Sequence, residues 1–405
     1  MTSGVVRLPR FDATGGPSPH AAALRERVRE AAAAGTRLRV VGRGRWLDAG
    51  RPVRADSTLA ADASGVVEYT PGDLTLTALA GTPLEAIREV TRAERQWLPF
   101  DPFGAPDGTL GATVVTASAG PLAHAFGTPR DNVLGLEFVT GAGAVVRGGG
   151  RVVKNVAGFD LVRLLVGSWG TLGVVTEVTV RLRALPEADV TLALPLPADD
   201  AAARSLVARV VEAHRTTLAP VALELIGAPL VRRLGGMPAD RHLLLARLAG
   251  NAELVASQRA ALAAMSDVAE LPSEVWRAIA VAEPAGAATV RLSHRPARRF
   301  DSWRHALATA ARLPGAWVHA SVGRGIARCV VPPGIEPAAI ADAFAPGSFA
   351  VAGEPGTLLF ERLPAQLWPT LSPSAMPDGP TGRLMRKVKD AYDPHHLLNP
   401  GIMGE

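Results

Sequence analysis

The sequence predicts an α+β protein of more than one unit, with mainly antiparallel sheets carrying helices. Three observations support this. Two hairpin-like segments, GVVEYTPGDLTLTALAG and NVLGLEFVTGAGAVVRGG, fall before residue 150. From 190 to about 360, alanine-rich amphipathic helices alternate with short apolar strands. Pro186, followed by EAD, separates the two patterns, and 405 residues exceed one typical domain.

Taken in order, AAALRERVREAAAA at 21–34 reads as a helix closed by Gly35. RLRVVG follows as a strand and enters the loop GRGRWLDAG. The first hairpin turns on Pro-Gly. TPLEAIREVTRAE predicts a helix with Thr82 as N-cap, Pro83 at the first helical position and Glu85 at the capping-box site. The second hairpin alternates apolar residues around TGAGA. A helix FDLVRLLVGS, a glycine turn and the strand LGVVTEVTVRLRALP complete the first unit. Beyond Pro186, helices at 199–214, 251–266, 300–312 and 335–345 separate strands near 190–195, 221–226, 242–248, 288–293, 315–320, 326–331 and 348–352. LSPSAMPDGP, 371–380, reads as a linker, and TGRLMRKVKDAYD as a last helix before PHHLLNPGIMGE. The expected units are therefore 1–186, 187–370 and a C-terminal segment 371–405.

Composition excludes several classes. The formal charge of +5 suggests a polyanion partner, yet only Lys154, Lys387 and Lys389 are lysines, and arginines are spread along the chain. Without a block of like charge, nucleic acid is not the expected partner, while an acidic protein surface remains open. A single cysteine, Cys329, precludes an internal disulfide. The opening MTSGVVRLPRFDATGG holds no apolar signal core. Residues 108–129 are uncharged but rich in Gly and Thr and interrupted by Pro121, so no transmembrane segment is expected. GRGRWL has Leu47 where a dinucleotide fingerprint needs glycine. Walker, zincin and nucleophile-elbow signatures do not occur.

Three glycine-rich places remain, all before residue 180. They are Gly42-Arg43-Gly44-Arg45-Trp46 after a strand, Gly108-Thr109-Leu110-Gly111 with Ser118-Ala119-Gly120, and Gly170-Thr171-Leu172-Gly173-Val174-Val175. Each reads either as a tight turn or as backbone bared to a ligand, whose anionic groups N–H donors can hold. Lys154-Asn155, a compact charge beside an amide in an apolar run, reads as a specific contact or as a chance lysine.

The ordered set VVGRGRW, AGTPLEAI, GTLGATVV, the long run from GTPRDNVLGLEF to VVKNVAGFDLVRLLVGSWGTLGVVTEV, and YDPHHLLNPGIM resembles the FAD-binding domain of the vanillyl-alcohol oxidase and p-cresol methylhydroxylase (PCMH-type) superfamily. Within it, the chain is similar to the E subunits of bacterial glycolate oxidases. The resemblance implies FAD between two α+β subdomains, a ferredoxin-like antiparallel cap domain, and a C-terminal segment returning to the flavin. It implies that Gly42, Arg43, Gly44, Arg45 and Trp46 cradle the pyrophosphate. Thr109, Leu110 and Gly111, with Ala119 and Gly120, would run along the ribityl chain and flavin. Arg130 and Asp131 would lie near the cofactor, and Gly170, Thr171, Gly173, Val174 and Val175 would meet its adenine or ribose side. Lys154 and Asn155 would fix the loop or meet the nucleotide, and Asn399 would reach the flavin edge.

There are departures. Arg43 interrupts the glycine run of relatives, and Arg45-Trp46 replaces the hydroxyl residue that follows it. No His or Cys in that loop offers a covalent link, so non-covalent FAD is expected. Hydroxy-acid relatives carry His-x-Gly-Asp-Gly-Asn-x-His for a divalent metal. The counterpart HASVGRGIARCVV, 319–331, keeps His319 but lacks the carboxylate and the second histidine, so no metal and no catalytic base are assigned and His319 reads as a strand residue. The implied activity is oxidation of glycolate or D-lactate in a complex with a D-type flavoprotein subunit and an F-type iron–sulfur subunit. It would act in the cytoplasm or at the inner face of the membrane. A structural subunit and a stand-alone alcohol oxidase remain alternatives.

Overall fold

A computed structural model describes residues 16–104, 107–150, 160–214, 216–236, 240–345, 347–351, 353–372 and 379–404. Helix α1, Pro19–Ala34, starts where Ser18 Oγ accepts from Ala21 N and ends at Gly35, whose φ of 64° needs no β-carbon to be relieved. Its buried Ala21, Leu24, Val28 and Ala31 recur at helical spacing. They pack on β1, Leu38–Val41, and β2, Ser57–Ala60, a parallel pair.

A five-stranded antiparallel sheet follows. It contains β3, Val66–Thr70; β4, Thr75–Leu79; β5, Val133–Val139; β6, Val145–Gly149; and β7, Val174–Arg181, in the order β3-β4-β7-β5-β6. Both hairpins stand where the alternation placed them. Glu137 is buried on β5, where the hydroxyls of Ser18 and Thr176 and the guanidinium of Arg147 satisfy it. Helix α2, Leu84–Arg92, begins later than expected, with Pro83 rather than Thr82 at the N-cap. Thr82 Oγ1 is occupied instead by Gly65, accepting from its N–H and donating to its carbonyl. Helix α3, Leu110–Thr116, is capped by Thr109, whose side chain accepts from Ala112 N.

The chain leaves the first sheet at Arg181 and enters a second at Ala188. The second sheet has eight antiparallel strands: β8, Ala188–Pro195; β9, Ala222–Ile226; β10, Leu243–Gly250; β11, Ala269–Leu271; β12, Ala288–Ser293; β13, Trp317–Ser321; β14, Ile326–Val331; and β15, Thr357–Arg362. Their order is β11-β8-β10-β9-β13-β14-β12-β15. Helices α4, Asp200–Ala213, α5, Ala252–Ala263, and α6, Arg299–Ala310, cover one face through Leu206, Val210, Leu262 and Trp303. The strand expected at 348–352 is a two-residue ladder, Ala350–Val351 with Glu354–Pro355, and the sheet takes β15 as its edge instead. On the sheet's other face, Phe103 from the first unit joins Ile226, Trp276 and Val330 in one core. Helix α7, Pro380–Tyr392, and the tail then return to the first unit. Leu38 N donates to Leu397 O and Asn399 N to Leu38 O, extending β1 with a parallel bridge.

Candidate active site

β1 ends at Val41 and the chain bends through Gly42–Leu47. This loop walls a cleft of about 170 Å³, closed by Thr109 and Gly111 of α3, Trp169–Gly170, Gly173, Val175 and Asn399. Among the described residues, the main-chain N–H groups of Gly42, Arg43, Gly44, Arg45 and Trp46 donate no hydrogen bond. Gly44 has φ 68°, and Trp46 Nε1 is buried with no partner. Donors gathered at a strand end in this way suit an anion such as a pyrophosphate. The loop's arginine side chains are partly engaged elsewhere: Arg45 Nε donates to Asp107 Oδ2 at 2.9 Å, and Arg43 Nε lies 3.7 Å from the same oxygen. The backbone, more than the guanidinium groups, is left free for a phosphate.

The structure brings most of the expected residues together, with exceptions. Gly42, Arg43, Gly44, Arg45, Trp46, Thr109, Gly111, Gly170, Gly173, Val175 and Asn399 line the first cleft, while Ala119 and Gly120 line a second cavity beside it. Leu110 is instead fully buried beneath α3, and Val174 packs toward α1, because each points into a core. The Thr171 hydroxyl donates to Ser168 O. Arg130 Nη2 donates to Arg163 O and Asp131 completes a capping box with Thr128, and neither is among the residues lining these two cavities. Lys154 and Asn155 lie outside the described residues. The glycines also have a second reason to be glycine. A β-carbon on Gly111 would stand 2.7 Å from Ala80 Cβ, on Gly120 2.0 Å from Asp101 O, and on Gly173 2.5 Å from Phe138 Cδ2. Their side-chain positions are filled by protein, so it is their main chain that faces the cleft.

The tail locks this cleft. Asn399, at φ 46°, accepts from Val40 N through Oδ1 and donates from Nδ2 to Trp169 O, both at 2.7 Å. Lys389 is buried on α7, where Nζ donates to Thr171 O at 2.8 Å and to Asp393 Oδ2 at 2.7 Å. Asp393 accepts in turn from Leu397 N and Leu398 N. A lysine at a core-facing helical position was the sequence signal for this clamp.

The second cavity, about 300 Å³, shares Trp46, Phe103, Thr116, Ser118, Trp169 and Ile402 with the first. Its far wall is the second sheet. Strand alternation sends Glu224, His319, Ser321, Arg328 and Arg291 to one face, while Leu225, Val318, Ala320, Cys329 and Leu292 go to the helix-covered core. The register sets Glu224 opposite Ser321, His319 opposite Arg328, and Arg328 opposite Arg291. His319 Nδ1 lies 3.3 Å from Glu224 Oε2, both side chains being buried. Arg328 stands 2.6 Å from both Glu283 and Glu361, with its guanidinium 4.1 Å from the Phe103 ring centre. Burial works against its charge, but the two carboxylates outweigh burial and raise its pKa above the usual arginine value. Burial lowers the pKa of Arg291 and Arg324. Glu224, Arg291, Arg324 and Arg328 were missed in the sequence. Their signal was a polar residue at alternate positions of otherwise apolar strands, and on the β13–β14 turn for Arg324.

Comparisons with known proteins agree with this geometry. A family model described as an FAD binding domain matches residues 19–149. "Glycolate oxidase subunit GlcE" of Escherichia coli (strain K12) is 41% identical over 172 residues, which cover 42% of this chain and 49% of that one. "Glycolate oxidase subunit GlcD" of Bacillus subtilis (strain 168) is 38% identical over 40% of this chain and 34% of its own. "D-2-hydroxyglutarate dehydrogenase" of Xanthomonas citri pv. viticola is 35% identical over 33% of this chain and 28% of its own. The chain thus spans about half the length, or less, of these curated relatives. A solved structure of alkyldihydroxyacetonephosphate synthase superposes with TM-score 0.65 over 93% of this chain and 74% of that one, at 14% identity, a likeness of fold. The fold is thus the α+β, PCMH-type FAD-binding fold with antiparallel sheets.

Proposed function

We propose that this chain, whose residues 19–149 form an FAD-binding domain, works as the FAD-binding subunit of an oxidase or dehydrogenase for glycolate or another D-2-hydroxy acid. It would act with a D-type flavoprotein subunit and an F-type iron–sulfur subunit, in the cytoplasm or at the inner membrane face through those partners. Among the described residues, no helix is long and apolar enough to cross a membrane. We assign cofactor binding to residues 1–186, substrate binding to 187–370, and a closing role to 371–405. The observation that carries the reading is the wall shared by the donor-lined cleft and the arginine-bearing cavity. A dinucleotide in the one and a small acid in the other would meet at Trp46, Phe103 and Trp169.

FAD bound non-covalently supplies the hydride acceptor that an alcohol oxidation needs. The protein's part is to bind, orient and move a proton. The amides of Gly42–Trp46 would take the pyrophosphate. Main chain at Thr109, Gly111, Ala119 and Gly120 would hold the ribityl chain and flavin, and that at Gly170, Gly173 and Val175 the adenine or ribose side. Asn399 would keep the tail against the cofactor. In the second cavity, His319 accepts the substrate hydroxyl proton on its imidazole, and Glu224 fixes the ring from Nδ1. Phe103, against His319 at 5.0 Å between ring centres, helps to exclude water.

The test is to purify the chain alone, quantify released flavin, and add glycolate or D-lactate without oxygen. About one FAD per chain and bleaching of the flavin absorbance are expected. The engagement of Arg43 and Arg45 by Asp107 favours one second reading, a structural subunit with a degenerate flavin site. A colourless chain that still assembles with its partners would establish that reading and overturn the first.

A further inference from the structure

We infer that Arg324 is the anchor for the carboxylate of a small 2-hydroxy acid in the cavity between the two sheets. The choice of acid rests on the oxidoreductase reading above; the anion site itself does not.

Four arginines line the cavity, and they differ in what they already hold. Arg51 Nη2 donates to Ser372 Oγ at 2.8 Å. Arg328 stands between Glu283 and Glu361 at 2.6 Å from each. Arg291 leans on Glu361 Oε1 at 3.7 Å. The Arg324 guanidinium has no acceptor and no ion pair among the described residues. It projects from the turn joining β13 to β14, which is fixed by Gly325 at φ 63° and by the Arg324 N–H donating to Ser321 O. Beside it, Ser321 Oγ is buried with no partner, a second polar group without a protein bond. An Arg with its donors unspent in a partly buried cavity is poorly compensated, and a carboxylate matches its fork geometry. Burial lowers the Arg324 pKa, while Glu224, Arg291, Asp101 and Arg328 act on it from neighbouring elements. Of these, the two carboxyl groups support its charge and the two arginines oppose it, so the cavity is not simply cationic. His319 faces the same space, so an acid held by Arg324 and Ser321 can turn its hydroxyl toward the imidazole. The site would prefer a carboxylate to the matching amide, because only the carboxylate satisfies the guanidinium by charge.

The experiment measures binding, by calorimetry and thermal protection, of oxalate, glycolate and glycolamide to the intact chain, its Arg324→Gln and Arg324→Lys variants, and Ser321→Ala. Wild type is expected to bind glycolate and oxalate and to discriminate against glycolamide. R324Q should weaken carboxylate binding about ten- to hundred-fold, as loss of a charged hydrogen bond implies. It should also erase the preference over glycolamide, with R324K falling between. Flavin content and unliganded melting temperature, read in parallel, should not drop in R324Q. Carboxylate binding by R324Q equal to wild type, or none by wild type, overturns the inference. Loss of binding in R324Q alongside a wild type that never bleaches in glycolate supports the anchor and overturns the redox reading instead, so the two failures are distinguishable.

Discussion

Asp101 lies under the cofactor side of the fold, where Gly120 packs onto its carbonyl and Leu122 N donates to its carboxylate. Burial pushes its pKa up to about 7 against this bond and against Arg247. The sign follows from linkage. A carboxyl whose folded pKa exceeds its unfolded value stabilises the protein fully only below the unfolded value, here 3.8, and that stability is lost as pH rises through about 7. Asp101→Asn should therefore be more stable than wild type at pH 8 by about 4 kcal/mol, and the difference should vanish near pH 4. Melting at the two pH values checks it, and an equal gain at both would refute the titration. For the proposed proton-accepting role, His319→Gln should lower kcat at least ~100-fold with flavin content unchanged. At this scale the glycines of the Gly42–Trp46 loop were legible from the residues themselves and Asn399 only through the family resemblance, and the structure lines one cleft with both. The sequence did not show Glu224, Arg291 or Arg324, since a polar residue in a strand names its face only once the neighbouring strands are paired.

Among elements, the tail helix is tied to the cofactor cleft by the buried Lys389–Asp393 pair. Lys389→Met would leave Asp393 buried without its cation, and about 3–5 kcal/mol of stability should be lost, with flavin released more readily. Lys389→Met/Asp393→Asn should recover part of that loss. Chemical denaturation of the two variants separates a broken pair from a merely missing lysine. Gly44→Val tests the loop: it forces a β-branched residue into φ 68°, and flavin retention should fall while far-UV dichroism stays unchanged. Most elements were legible. Helix α1 announced itself by Gly35 and its apolar spacing, and the two hairpins by their turns. The start of α2 was not legible, because Thr82 spends its hydroxyl on Gly65 across a loop and so cannot also cap a helix.

For the whole molecule, Phe103 is a side chain of the first unit that sits in the core of the second, against Trp276 and Val330 and under Arg328. Phe103→Ala should cost about 3–5 kcal/mol and make the two units unfold in separate transitions, seen as two calorimetric peaks where wild type gives one. A single peak shifted down would mean that other contacts couple the units. The sequence by itself determined the α+β class, the hairpins and helices, and the FAD-binding resemblance, because these depend on periodicities of two and of 3.6 residues and on residue types that single out a backbone. Only the tertiary structure decided that Gly111, Gly120 and Gly173 turn their side-chain positions into protein and their main chain toward a cleft. It alone set Arg130 and Asp131 apart from that cleft and lined up Glu224, His319, Arg328 and Arg291 on one wall. Those facts depend on which strands pair and in what register. Register is fixed by contacts between residues up to about a hundred positions apart, such as Glu224 with Ser321, that no local pattern contains.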